Sequence, residues 1–148
     1  MNKPVTKPLP RINETTRAFW EGCRQHELRI QKCSKCDTFR FPPQHMCRAC
    51  SSDQSEWTTV SGTGAIYSYI IPTNQSPGEL PARGFEYPFA VVLVELDGTG
   101  GVRIASNVID CELSDIAIGL RVEPHFEDIN DEISLPKFRL ADRAGDQS

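Results

Sequence analysis

The stretch KCSKCDTFRFPPQHMCRAC, Lys32 through Cys50, sets two Cys-x2-Cys pairs on either side of ten intervening residues. Each pair bends the backbone into a knuckle that aims two sulfurs at one point. Two knuckles at the ends of a short hairpin make a tetrahedral four-thiolate site, which Zn²⁺ fills without distortion and which iron also suits. A redox reading would need two CxxC motifs in one short segment, without the βαβ context such motifs have. Cys33, Cys36, Cys47 and Cys50 are therefore the expected metal ligands. Four protein ligands leave no position for water or substrate, so the metal is expected to serve shape, replacing a core that so small a ribbon cannot build.

Working outward, Asn13 or Thr15 can cap a short helix carrying Ala18, Phe19 and Cys23 near one side, with Trp20 close by and Gly22 weakening it. Residues 27–32 alternate, with Leu28 and Ile30 on one face, and predict a strand leading into the first cysteine pair. Phe39, Arg40 and Phe41 resume an extended path that Pro42 and Pro43 end. From Trp57 a series of strands is expected, with a bend or bulge at Gly62 and Gly64. Residues 72–88 read as a long loop. FAVVLVEL (89–96) and VRIASNVI (102–109) form a hairpin about the DGTGG turn. SDIAIGL makes a helical or 3₁₀ turn ending at Gly119, and strands follow at 121–127 and 135–140. The fold class this predicts is mainly β: an N-terminal helical segment, a zinc ribbon, and a small barrel for which the OB type leads. The segments are a lead-in at 1–12, the helical segment at 13–26, the ribbon at 27–55, the OB-fold domain at 56–141 and a tail at 142–148.

Charge narrows the function. Residues 1–60 hold ten Lys/Arg against six Asp/Glu, a balance of +4, whereas residues 61–148 hold six against fourteen, a balance of −8. So acidic a barrel is a poor partner for a phosphate backbone, whose affinity comes largely from cationic neutralisation. Single-stranded nucleic-acid binding, with Tyr67, Tyr69 and Phe126 as stacking candidates, is the alternative function, and no nucleic acid is the expectation. No apolar run is long enough to cross a bilayer, and MNKPVTKPLPRINE lacks the apolar centre of a secretory signal. A cytoplasmic, membrane-free protein with reduced thiols is expected.

The remaining reactive residues are isolated. Cys23 and Cys111 have no base beside them, and a lone cysteine is most often a small buried hydrophobe. His26, His45 and His125 stand apart. GTGG at 98–101 is a turn and no phosphate loop, and Asp128, Asp131 and Glu132 read as a solvated turn. Nothing in the sequence assembles a nucleophile, a base and an oxyanion site, so no catalytic residue is expected.

In order, FWEGCRQHELRIQKC, CSKC, FRFPP, CRAC, EWTTVSGTGAIYSY, YPFAVVLVELD, IGLRVEPHFED and LPKFR run along residues 19–139. This succession resembles the zinc-ribbon/OB-fold acyl-CoA-associated family, long catalogued as a domain of unknown function. The resemblance implies a rubredoxin-like ribbon with structural Zn²⁺ on Cys33, Cys36, Cys47 and Cys50, and a C-terminal OB barrel. It implies an accessory role beside a catalytic subunit of the thiolase superfamily: a thiolase, an acyltransferase or a lipid-transfer-type aldolase. An acyl-CoA held together with that partner is the implied further ligand. Phe19, Trp20, Arg83 and Phe85 are the docking candidates, and Arg40 and Arg83 could meet CoA phosphates. The family usually carries Gly after the second cysteine of each pair, where Asp37 and Ser51 stand here, and Pro where Arg48 stands.

Overall fold

The computed structural model describes residues 9–73 and 88–141. The helix α1, Arg17–Arg24, is followed by β1 (Leu28–Cys33), β2 (Phe39–Arg40), β3 (Ser55–Val60), β4 (Gly64–Ile70) and β5 (Val91–Leu96). Then come β6 (Arg103–Ser106), β7 (Val108–Ile109), a 3₁₀ turn at Leu113–Asp115, β8 (Arg121–Asp128) and β9 (Ser134–Leu140). The mainly β class is as expected, and the strands fall into two sheets, ordered β2-β1-β3 and β6-β5-β4-β8-β9-β7.

The second sheet is the OB barrel. Its edge strands, β6 and β7, are consecutive in the chain, so the sheet has to curl until its two ends meet. The stretch 102–109 thus proves to be two strands rather than one. β6 pairs antiparallel with β5, and β7 turns away to pair parallel with β9, Val108 opposite Phe138. Asn107 makes the corner: its Nδ2 donates to Ala90 O at 2.7 Å, its Oδ1 accepts from Lys137 Nζ at 2.8 Å, and its carbonyl accepts the Phe138 N–H at 3.0 Å. A side chain that satisfies three separated segments holds the chain in a bend that apolar periodicity alone does not encode.

Gly62, with φ of 79°, turns the chain from β3 into β4, as the glycines suggested, but the bulge lies further on, between Ile66 and Ser68. Gly64 is required for another reason. A Cβ there would sit 2.3 Å from Glu95 O, so β4 approaches β5 more closely than any side chain permits.

The helix is shorter than the segment offered, and its cap lies elsewhere. Thr16 is the N-cap and makes no side-chain capping bond; instead Thr16 N–H donates to Asn13 Oδ1 at 3.0 Å and Asn13 N–H to Thr16 Oγ1 at 3.1 Å, closing the turn before the helix. At the other end His26 takes φ of 59°, its N–H donating to Cys23 O at 3.0 Å while Glu27 N–H donates to Gly22 O at 2.8 Å. This is a Schellman ending with histidine in the place glycine usually takes. Phe19, Gly22 and Cys23 form the buried stripe.

One core joins all the parts. Phe19 and Cys23 from α1, Leu28 and Ile30 from β1, and Ile66, Val92, Val94, Val122 and Phe138 from the barrel belong to a single buried cluster. Helix and ribbon base are therefore built into the barrel's own interior. At the barrel rim, Arg121 grips Asp97 with both Nη atoms, and Thr63 Oγ1 donates to Asp97 Oδ2 at 2.7 Å. The Arg121 hydrogen bonds, then that of Thr63, hold the Asp97 carboxyl below its ordinary value. A group with a depressed folded pKa contributes stability above its unfolded value of about 3.9 and loses it as pH falls through the folded value. Asp97→Asn should accordingly be less stable than the parent at neutral pH, with the gap in urea midpoint closing as pH drops below about 4. A gap that stays constant down the acid range would remove Asp97 from this role.

Candidate metal centre

The four expected ligands come together. The Sγ atoms of Cys33, Cys36, Cys47 and Cys50 all lie within 4.8 Å of one another, Cys33 to Cys50 and Cys36 to Cys47 each at 3.6 Å. A tetrahedron with Zn–S bonds of about 2.3 Å has edges of roughly 3.8 Å, so the sulfurs already stand at ligand spacing.

The two knuckles are built alike. Asp37 N–H donates to Cys33 O and Ser51 N–H to Cys47 O, both at 2.9 Å; Cys33 N–H donates to Thr38 O at 2.9 Å and Cys47 N–H to Ser52 O at 2.8 Å. Backbone amides also reach the sulfurs, as Ala49 N–H does to Cys47 Sγ at 3.4 Å. The Cys36 backbone N–H, then that of Lys35, holds the Cys33 thiol down; the Thr38 hydroxyl and amide do so for Cys36, and the Cys50 and Ala49 amides for Cys47. Cys50 is drawn down by the Ser52 amide, but burial and the three neighbouring sulfurs outweigh that and raise it to about 11. Donors directed at sulfur favour thiolates, which is the form a metal takes. Where it binds, the ion would be held by these four residues and would supply a cross-link, with no coordination site left over.

Asp37 and Ser51 both adopt φ of 63°, the left-handed conformation that glycine accepts freely. The knuckle keeps its geometry without glycine, at some strain. Ser51→Gly should stabilise the chain by about 1 kcal/mol and Asp37→Gly by less, since Asp tolerates this region better. Thermal melts of the metal-loaded variants test it; an unchanged or lower midpoint for Ser51→Gly would mean the strain is relieved elsewhere.

Two buried polar residues support the ribbon, and the sequence did not mark either. Gln31, 6% exposed, donates from Nε2 to Ser55 Oγ at 3.1 Å and accepts the Gln44 N–H on Oε1 at 2.8 Å. Arg40, also 6% exposed, donates from Nε and Nη2 to Gln44 O at 3.3 and 2.9 Å. Both backbone groups of Gln44 are thus taken by side chains of β1 and β2. Alternation marks Gln31 only as facing away from Ile30; nothing in it says that a loop covers that face.

The other candidates scatter. Phe19 is 3% exposed, its ring 4.9 Å from Trp20 and 5.2 Å from Phe41, so burial in the core removes it from docking. Trp20 stays partly exposed. Arg83, Phe85 and nearly all of the 72–88 loop lie outside the described residues. Cys23 is fully buried, and desolvation pushes its thiol to about 12 despite Arg29 nearby, the state of an inert core cysteine. Cys111 is partly buried against the core. His45 is exposed and outside the sulfur cluster. His26 Nε2 lies 2.9 Å from Asp128 Oδ1, which also accepts from Ser134 Oγ at 2.5 Å. The carboxylate stands between hydroxyl and imidazole, so the trio clips the end of α1 to the β8–β9 hairpin and offers no activated nucleophile. Tyr67 is exposed under the Arg103 guanidinium at 3.6 Å, Tyr69 is partly buried, and Phe126 stacks on His26 at 5.3 Å. No helix among the described residues is long and apolar enough to cross a membrane.

Comparison with known proteins follows this division. Residues 20–56 match the model of the ChsH2 rubredoxin-like zinc ribbon domain, and residues 57–127 that of the ChsH2 C-terminal OB-fold domain. The chain is 37% identical to a probable enoyl-CoA hydratase alpha subunit of Thermomonospora curvata, over 91% of its own length but only 40% of that protein. It is 30% identical to a DUF35 domain-containing scaffold protein of Methanothermobacter thermautotrophicus, over 82% of this chain and 87% of the other. Among solved structures, the Ltp2–ChsH2(DUF35) aldolase contains a chain that is 36% identical with a TM-score of 0.77, matched over 90% of this chain and 100% of that one.

Proposed function

The chain belongs to the ChsH2 (DUF35) family, a rubredoxin-like zinc ribbon joined to an OB fold, and from that membership we propose that it is the non-catalytic, zinc-containing accessory subunit of a thiolase-superfamily enzyme acting on an acyl-CoA. Among the thiolase, acyltransferase and aldolase forms of that partner, a lipid-transfer-type aldolase is favoured. The observation that carries this is one of extent. The chain spans the whole of the ChsH2(DUF35) chain in the aldolase structure, but about two fifths of the hydratase alpha subunits it matches. A relative that ends where this chain ends is the better guide to what stands beside it.

The chemistry of the site supports the same reading. Four thiols turned toward one point make a cross-link, while Cys23 is a buried, protonated thiol and the His26–Asp128–Ser134 trio is wired as a clip. Reactivity then belongs to the partner, in the cytoplasm. This subunit would shape the partner's surface and help enclose the CoA ester. Trp20, partly exposed beside the buried Phe19, is the docking anchor the fold offers, because aromatic side chains carry much of interface energy. Arg83 and Phe85 extend the proposed docking surface.

The test is reconstitution. The metal-loaded chain should co-purify with a thiolase-fold subunit from its native cell, the pair should cleave or transfer an acyl-CoA thioester, and Trp20→Ala should weaken the pair by about tenfold or more. Turnover of a thioester by this chain alone, or a chain that elutes without such a subunit, would overturn the reading.

A further inference from the structure

Between the ribbon and the β5–β6 turn lies a groove of about 410 Å³, lined by Phe39, Arg40, Phe41 and Arg48 on one side and by Gly100, Gly101 and Arg103 on the other. Arg40 has an unusual status there. It is 94% buried by the complement of its 6% exposure, two of its nitrogens are committed to Gln44 O, and its Nη1 is buried with no acceptor. A buried guanidinium nitrogen without a partner is expensive, and native proteins retain such a group where a ligand completes it.

The surroundings indicate the kind of ligand. Arg48 is exposed on the rim and takes part in none of the ion pairs among the described residues. Arg103 adds charge from the opposite wall while its Nε is held by Glu95 Oε2 at 3.2 Å. Gly100 and Gly101, with φ of 70° and 102°, leave their wall free of side chains; a Cβ at either would meet nothing within 4 Å. Two cations that lack a carboxylate thus face a channel with an aromatic side and a bare backbone side.

We propose that this groove is a seat for a phosphate ester, with Arg40 Nη1 and Arg48 as its cationic contacts. Peripheral phosphate oxygens accept from two separated guanidinium groups at once, and Phe39 and Phe41 give room for a flat base behind the phosphate. A rival account has Arg40 only offset the charge of a Zn(Cys)₄ centre, about −2, since Cys47 also lines the groove. That account gives Arg48 no role.

The experiment follows the arginine side-chain ¹H–¹⁵N signals of the intact, metal-loaded chain during titration with inorganic phosphate and, separately, with adenosine diphosphate. Saturable shifts of the Arg40 signals are expected. Tighter binding of the nucleotide would make a nucleotide-bearing molecule the source, and equal binding would make it free phosphate. Arg48→Ala should weaken binding by about tenfold with metal content unchanged, and Arg40→Met should abolish it. If Arg40→Met loses its metal, Arg48→Ala carries the test. Absence of shifts with both probes, or shifts undiminished in Arg48→Ala, would overturn the seat. Neither probe involves the proposed partner, so this inference and the accessory-subunit reading can fail separately.

Discussion

Cys36→Ser and Cys47→Ser are each expected to lose the metal and to melt the ribbon between Cys33 and Gln54, while the β4–β9 barrel keeps its sheet. Structural zinc in small ribbons contributes apparent binding free energies of about 10–16 kcal/mol near neutral pH, comparable to the whole stability of an ordinary domain at about 5–15 kcal/mol. The ribbon has little else of comparable size: β2 is two residues long and pairs with β1 through only two residue pairs. The buried bonds of Gln31 and Arg40 to Gln44 fix the loop only while the knuckles hold its ends. Amide hydrogen exchange with metal analysis is the measurement: amides of residues 33–54 should lose protection while those of Val92 and Val94 retain it. Full metal stoichiometry in either variant would refute the four-thiolate site, and equal loss of protection in the barrel would refute the division of stability.

The second large effect falls in the barrel. Phe138 is fully buried and heads the large side chains with no exposure. Its strand pairs with β8 on one side and β7 on the other, and its N–H reaches Asn107 O. Phe138→Ala should cost about 3–5 kcal/mol, transfer and cavity terms together, because its neighbours are held by backbone pairing on both sides and can collapse only partly. Guanidinium unfolding should show a lower midpoint with an unchanged slope. A loss under about 1 kcal/mol would mean that the site closes over the cavity or that the barrel is less tightly closed than its strand order requires.

How much could be read in advance depended on how local each signal was. The ribbon was legible because ligand identity and spacing sit within nineteen residues, and the knuckle geometry follows from them. The β5–β6 hairpin and the 3₁₀ turn were legible for the same reason, each carrying its own turn residues. What escaped was decided at a distance. Val108 and Ile109 continue the β6 pattern in sequence, yet the Asn107 corner and the partner strand β9 reassign them. Trp57 seemed to open the barrel's strands, but β3 runs the whole length of β1, from Cys33 opposite Ser55 to Leu28 opposite Val60. Phe19 and Trp20 are adjacent aromatics with equal claim to a surface role. Only the packing of α1 on β1 and the barrel strands decides that Phe19 turns inward. Arg40 read as an ordinary solvated arginine until the loop from Pro43 to Cys47 was seen to cover it.

The shared β1–β3 ladder sets a rule for anyone dissecting this molecule. A scissile point between Glu56 and Trp57 divides a rail that both halves lean on, so the front fragment would be left with a frayed margin and the rear one with an orphaned stub. Truncation libraries should therefore keep everything through Val60 on the cysteine-bearing piece, and even then Leu28 and Ile30 would face solvent where Ile66 and Phe138 now shield them. The molecule is a single casting, and useful chimeras will be made at its outer margins.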